Sequence, residues 1–208
     1  MKKKIIKILV AILIVAAVAS FAYAYYRITH KEKKPVVEEV KKEDEIQTKE
    51  FDYTLYENKS ELYKEYFGHL KEELTKEEVN EEEYAKIVAE LFVIDFYSLQ
   101  DKTTSTDVGG LDFIYESMRE NFVLKANDTI YKYVESNVYG DRKQTLPKVK
   151  TVEVKSVLKK PVKKSTVSDE NGYVVVVKIG YEKDLKFPTE VTLSLVHVES
   201  KLYIVEVK

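Results

Sequence analysis

Two side chains are candidates for chemistry because each interrupts an apolar pattern. Asp95 lies within the apolar stretch 84–97, which has the composition of a buried helix. A carboxylate in that position either accepts hydrogen bonds from a neighbouring loop or acts as an acid or base in a cavity. His197 interrupts the alternation of residues 191–195 and is either a histidine at the core edge or a catalytic one. We favour the structural interpretation of both and retain Asp95 and His197 as candidates to line a cavity.

The remaining signals for catalysis, cofactors and metals are weak. The three histidines, His30, His69 and His197, form no HxxxH or HExxH pattern, and cysteine is absent. No serine stands in a G-x-S-x-G elbow, and Gly109-Gly110 lies in no phosphate-binding motif, so a sharp turn is expected there. We therefore expect no catalytic residue, no cofactor and no metal site.

Composition limits the classes of function. The chain has 208 residues, enough for one ordinary domain with accessory segments. Its 34 basic and 36 acidic residues give a net charge of -2, so no basic field is available to attract nucleic acid. We expect no nucleic-acid partner.

The N-terminus has the pattern of a membrane segment. A basic head, residues 1–7, precedes an uncharged run over residues 8–26, whose 19 residues would span about 28 Å as a helix. The aromatic end of this run suits the headgroup region, which favours a retained transmembrane helix or signal-anchor in the lipid bilayer. The alternative is cleavage near Ala24, in the signal-like sequence Ala22-Tyr23-Ala24, which would give a secreted protein.

The orientation of the predicted membrane segment across the bilayer follows from the small size of the head. Lysines flank the run on both sides, so the charge count alone is ambiguous, but a short head is rarely translocated. We expect the head in the cytoplasm and the rest of the chain outside it.

Residues 27–50 are dominated by charge and predict a flexible tether. They carry too little apolar surface to offset the entropy of ordering. A helical extension of the membrane segment is the alternative, although Pro35 would interrupt it. A partner-binding charged tail is a third alternative, which the mixed signs disfavour. Residues 51–208 then form the folded domain.

Helical periodicity dominates the first half of that domain. A stripe of Tyr63, Phe67 and Leu70 predicts a helix over about 60–74. A second, largely apolar helix is expected to reach about Leu99. Its start is predicted either at the capping-box spacing of residues 75–78 or at Asn80. Two further helical pieces are predicted over 111–124 and 128–134.

Beyond Asn137 the pattern changes to strands. Asn171-Gly172 predicts a hairpin that joins residues 163–167 to residues 173–181. The continuous apolar run 174–177 predicts a strand buried on both faces. The other predicted strands cover 149–157, 191–198 and 202–207. Helices followed by about four antiparallel strands define an α+β fold, with the helices packed on one face of a curved sheet.

This order of elements resembles the NTF2-like (cystatin-like) α+β cone. With the N-terminal anchor it is most similar to the membrane-anchored, VirB8/TcpC-type proteins of bacterial conjugation and secretion machines. The resemblance covers residues 55–208 and the anchor, and it rests on element order with no residue motif, so it transfers no site residue. It implies a scaffold that self-associates and contacts other components, while other branches of the fold use the cavity of the cone for small ligands or acid/base chemistry.

Three functions follow as hypotheses. The first is a non-enzymatic binding or assembly module outside the cytoplasm that acts through protein–protein contacts or self-association. The second is a small-ligand binder or acid/base enzyme whose cavity contains Asp95 or His197. The third is a structural spacer domain of the cell envelope.

Overall fold

The computed structural model describes residues 19–23, 25–26, 40–48, 51–164 and 167–208. It divides the chain into two units, Met1–Val36 and Val37–Lys208. In the first unit the described residues are helical, and Phe21, Tyr23 and Tyr25 are exposed. Within the described ranges, no helix combines the length and the apolar character that crossing a bilayer requires. The predicted head and most of the predicted membrane segment 8–26 lie outside these ranges.

Two helices open the helical layer of the second unit. Helix α1, Glu61–Leu74, begins at Ser60, whose hydroxyl accepts a hydrogen bond from the Tyr63 N–H. Helix α2, Glu81–Tyr97, begins at Asn80, whose side-chain oxygen accepts from two N–H groups of the first turn. Of the two predicted starts, Asn80 is therefore correct, and Thr75 instead ends α1. Twelve of the 17 residues of α2 are buried, all of them from Tyr84 onward, as its composition predicts.

Part of the predicted tether is a strand, which corrects that prediction for residues 42–47. Strand β1, Lys42–Gln47, pairs antiparallel with strand β2, Asp52–Tyr56. Only Ile46 of β1 is buried, while Asp44 bonds to the Lys71 ammonium of α1 at 2.7 Å. The charged composition of residues 42–47 did not predict a strand, because it cannot show that Asp44 pairs with a lysine of α1. Residues 27–39, 49 and 50 lie outside the described ranges.

The region between α2 and the sheet is less helical than predicted. Short 3-10 turns cover Leu99–Asp101, Leu111–Phe113 and Glu116–Met118, and only helix α3, Arg119–Asp128, is α-helical. The predicted helix over 111–124 is interrupted at Ile114, which is extended and bridges to Ile204. The predicted helix over 128–134 is a series of turns.

A four-stranded antiparallel sheet completes the α+β fold. Its order is β3-β6-β7-β8, and α2 packs against it. Bulges in β3 and between β7 and β8 shift the register. The bounds are β3 Val149–Lys159, β6 Tyr173–Tyr181, β7 Glu190–Val198 and β8 Lys201–Val207.

The predicted hairpin across Asn171-Gly172 is wrong in its pairing. Strand β6 pairs with the 11-residue strand β3, which offers a longer ladder than the predicted partner segment. Strand β4, Val162–Lys164, pairs instead with strand β5, Val167–Asp169. This β4–β5 ribbon covers part of the other sheet face through Val162, which packs with the half-buried Val174. The run 174–177 is therefore fully buried on one face only, through Val175 and Val177, and the prediction of burial on both faces is wrong for Val174 and Val176.

Candidate functional site

Asp95 lies near the end of α2 with both carboxylate oxygens occupied. The Lys102 ammonium contacts Oδ1 at 2.7 Å, and the Lys59 ammonium contacts Oδ2 at 2.7 Å. The Gly110 N–H also donates to Oδ2, at 2.7 Å. Asp95 is 9% exposed and the Lys102 side chain 7%, so this is a buried ion-pair cluster.

The charges hold Asp95 ionised. Burial acts to raise the pKa of the carboxyl, but the Lys102 and Lys59 ammonium groups outweigh it and lower the pKa well below its ordinary value. A carboxylate with a strongly depressed pKa and two neutralising cations is a weak proton acceptor. Its geometry suits a structural ion-pair centre better than a general base.

The two glycines beside Asp95 allow the close approach of the chain. A Cβ on Gly109 would lie 2.3 Å from the Asp95 carbonyl oxygen. Gly110 has a left-handed backbone, with φ of 74°, and a Cβ there would lie 2.6 Å from the Phe92 ring. Gly109 also donates its N–H to the Tyr131 hydroxyl at 3.0 Å. Gly109-Gly110 therefore forms the predicted sharp turn.

Space around Asp95 is small. The hollow that it lines, together with Tyr63, Ser98 and Asp107, has a volume of about 40 Å³. That is room for a water molecule or two rather than for a substrate, since ligand pockets usually measure about 300–1,000 Å³.

His197 lies on β7 between two carboxylates. Its Nδ1 is 2.6 Å from Oδ2 of Asp169 in β5, and its Nε2 is 3.0 Å from Oε2 of Glu81 in α2. The His197 backbone N–H donates to the same Asp169 oxygen at 2.8 Å. A protonated imidazole can donate to both carboxylates, whereas a neutral ring can donate to only one. We call these three residues the His197 clamp.

The clamp keeps Asp169 ionised. Burial acts to raise the pKa of Asp169, but hydrogen bonds from the His197 backbone and ring and from the Asn171 N–H together lower it.

In the described part of the chain, no group of three acidic, histidine or cysteine side chains is arranged to hold a metal ion.

The structure does not bring the two candidate residues together. Asp95 lies near the end of α2, while His197 contacts Glu81 in its first turn, so the helix separates them by roughly 21 Å. Sequence alone did not reveal Lys59 and Lys102 as partners of Asp95. The sequence does show that Lys102 follows α2 within one short turn. The direction in which its side chain points depends on the fold, so the pairing with Asp95 could not be predicted.

An open, mainly apolar groove of about 570 Å³ lies between loops, and we call it the apolar groove. One side comes from the turns after α3 and the other from the β6–β7 loop. Tyr133 at its side is 75% exposed. The apolar groove is lined by Leu99, Thr129, Ile130, Tyr133, Val134, Gln144, Thr145, Leu146, Leu185, Lys186, Phe187 and Pro188.

A polar groove of about 290 Å³ continues from the apolar groove, because the two share residues 144–146. Its charged lining consists of four cations, Arg142, Lys143, Lys148 and Lys183, and one acid, Glu182. Lys148 lies near Glu182 and Asp101, at 3.7 and 4.0 Å, so part of this positive charge is compensated.

Comparison with known proteins gives no relative on which to base a function. No protein-family model matches the chain, and no significant match is found among curated proteins or solved structures.

Proposed function

We propose that this chain is a membrane-anchored, extracytoplasmic binding and assembly module that acts through protein–protein contacts, of the kind used in conjugation or secretion-type envelope complexes. The observation that carries the proposal is the apolar groove with its exposed Tyr133. Open apolar surface with an aromatic residue at its edge is typical of protein interaction sites. The anchor is the sequence prediction for residues 8–26.

The walls of the apolar groove are held in place before any partner binds. Gln144 donates to the Tyr133 carbonyl at 2.7 Å and accepts from the Glu135 N–H at 2.9 Å. The Gln100 side chain accepts from the Leu146 N–H at 3.0 Å. Across the groove, the Tyr181 hydroxyl donates to the Pro188 carbonyl at 2.9 Å. Preorganised walls reduce the entropy that binding must overcome.

The charges next to the groove indicate the chemistry of the partner. The polar groove lies directly beside the apolar one and is lined by four cations and one acid, although Lys148 lies near Glu182 and Arg142 donates to backbone carbonyls. A complementary protein segment has apolar side chains followed by acidic ones, since opposite charges across an interface direct encounter and register. We expect such a segment on another envelope protein.

The contacts of the two candidate residues favour binding over acid/base catalysis. Both oxygens of Asp95 are engaged by ammonium groups, and the hollow beside it measures about 40 Å³. His197 has both ring nitrogens against carboxylates. The polar side-chain atoms of both residues therefore have partners within the chain.

Site-specific photo-crosslinking in living cells tests the proposal. A photoreactive phenylalanine analogue replaces Tyr133 in the full-length chain, and irradiated membranes are examined for adducts. The matched control places the same analogue at Leu158 on β3, which is 55% exposed and lies outside the groove. We expect a discrete adduct from position 133 and none from position 158.

The mass of the adduct identifies the occupant. An adduct with another protein supports the proposal as stated, and one with twice the mass of the chain supports it with a second copy as partner. Absence of any adduct at position 133, or the same adducts from both positions, contradicts it. A Lys143→Glu, Lys183→Glu double variant should weaken the adduct at position 133 because it reverses charge in the polar groove.

A further inference from the structure

A second cavity, of about 530 Å³, lies between α3, the end of α2 and strand β8. We call it the β8 cavity. Its apolar part contains Phe96 of α2 and Phe122 of α3, with ring centroids 5.1 Å apart. Ala126 of α3 and Ile204 of β8 complete this part, and both are buried. The cavity therefore has an apolar interior built from three elements.

The polar side of the β8 cavity carries an excess positive charge. Lys164 and Lys208 contact Glu206 at 2.5 and 3.1 Å, so two lysines share one acid here. A hydrogen bond from Lys164 is the main cause that lowers the pKa of Glu206, so the acid is ionised. Lys125 also lines the cavity, is an exposed residue and contacts no acid among the described residues. Lys125 is thus the cation available to a ligand.

Uncharged hydrogen-bonding groups accompany that cation. Ser117 and Asn121 also line the β8 cavity, as does Thr129, whose hydroxyl already donates to the Lys125 carbonyl at 2.6 Å. A charged group on a ligand would find one unpaired ammonium with hydroxyl and amide donors nearby. Apolar atoms of the same ligand would lie against the Phe96 and Phe122 rings.

We propose that the β8 cavity binds a single-chain amphiphile with an anionic head group, such as a fatty acid carboxylate or an alkyl phosphate. The head lies at Lys125 and the alkyl chain lies against the aromatic interior. The volume falls within the range of about 300–1,000 Å³ typical of small-molecule sites. The β8 cavity borders the apolar groove at Thr129, but neither Lys125 nor the two phenylalanines line that groove, so failure of this assignment would leave the proposed protein-binding function unaffected.

Photo-affinity labelling of the full-length chain tests this assignment. The protein is placed in phosphatidylcholine nanodiscs with a diazirine-bearing fatty acid, and labelled peptides are mapped by mass spectrometry. We expect labels within residues 117–129 or 204–207. Dodecanoate and dodecyl phosphate should compete for labelling, and their relative potency distinguishes a carboxylate from a phosphate ligand. Dodecanol and dodecyltrimethylammonium should compete about tenfold less well because neither offers an anion to Lys125.

Charge reversal at the head site provides the sharpest variant. Lys125→Glu should weaken competition by dodecanoate about tenfold or more and improve competition by dodecyltrimethylammonium. Lys150→Glu, an exposed lysine of β3 outside the cavity, makes the same charge change and should have no effect. Ala126→Phe should abolish labelling by filling the interior. Labels only outside the β8 cavity, or equal labelling of the Lys125→Glu and Lys150→Glu proteins, would overturn the assignment.

Discussion

Asp95 joins three separate parts of the chain through one side chain. Lys59 precedes α1, Lys102 follows α2, and Gly110 belongs to the next loop, yet all three bond to the same carboxylate. A buried charge is tolerated when it is paired and hydrogen-bonded, and removal of one member exposes the others to the full penalty of burial. Asp95 is therefore expected to matter for stability rather than for turnover.

Replacement of Asp95 by asparagine leaves two ammonium groups without their shared counter-ion. We expect Asp95→Asn to lower the free energy of unfolding by about 3–5 kcal/mol, as measured by urea denaturation at pH 7. Asp112→Asn, at an exposed acid, is the matched control and should change stability little. A loss below about 1 kcal/mol for Asp95→Asn would contradict the assignment.

Asp95 also accounts for part of the loss of folding stability expected at acid pH. The folded pKa of Asp95 lies below the unfolded value of about 3.9, so its contribution is present above about pH 4 and is lost as pH falls through the folded value. The stability of Asp95→Asn should therefore fall less steeply below pH 4 than that of the parent protein.

The contribution of Glu90 on α2 to folding stability should depend on pH in the opposite direction. Burial is the main cause that raises its pKa to about 7, and the nearby Glu83 adds to the shift. Because the folded value lies above the unfolded value of about 4.3, the stability from this group declines as pH rises from about 4 to 7. Allowing for its partial exposure, Glu90→Gln should add about 1–2 kcal/mol at pH 8 and little at pH 4.

Thermal unfolding at the two pH values measures this difference. Glu78→Gln, at an exposed acid between α1 and α2, serves as the control and should be neutral at both. Equal effects of Glu90→Gln at pH 4 and pH 8 would show that its charge is not the cause.

The environments of single residues could be predicted only in part from the sequence. The apolar surroundings of Asp95 indicated burial and a structural role, and both agree with its contacts. Its lysine partners were not readable, because Lys59 is 36 positions away and lysines are abundant throughout the chain. The carboxylates on both sides of His197 were equally hidden, since Glu81 lies 116 positions away.

Elements with strong periodicity were predicted well. The stripes of α1 and α2 and the alternation of β7 and β8 follow directly from spacing. Strand β1 was missed because its charged composition shows neither the ladder with β2 nor the pairing of Glu43 and Asp44 with lysines of α1. The β4–β5 ribbon was missed because strands of three residues carry almost no periodic signal.

The His197 clamp holds three elements together at one point: α2, β5 and β7. We expect His197→Gln to loosen the β4–β5 ribbon, because the single amide nitrogen of glutamine cannot contact both Asp169 and Glu81 as the two ring nitrogens of His197 do. Hydrogen exchange should show faster exchange of amides in residues 162–164 and 167–169. His69→Gln in α1 is the control. Unchanged exchange in the ribbon would mean that the clamp does not hold it.

At the scale of the whole molecule, the second unit presents two recessed surfaces that meet at Thr129. The apolar groove lies between loops, and the β8 cavity lies between α3, α2 and β8. Both suit a module that binds other molecules, and neither contains Asp95 or His197. The proposed place of this unit, outside the cytoplasm and tied to a membrane, depends on residues 8–26.

Cell fractionation with external protease tests that location most directly. Membranes isolated from cells that express the full-length chain are washed with alkaline carbonate. In a second experiment, intact spheroplasts of the same cells are treated with protease before lysis. We expect the chain to stay with the membranes, and residues 51–208 to be degraded by the external protease while a cytoplasmic marker survives. Recovery of the intact chain in the soluble fraction, with its initial methionine and protected from protease, would contradict the anchored extracytoplasmic arrangement.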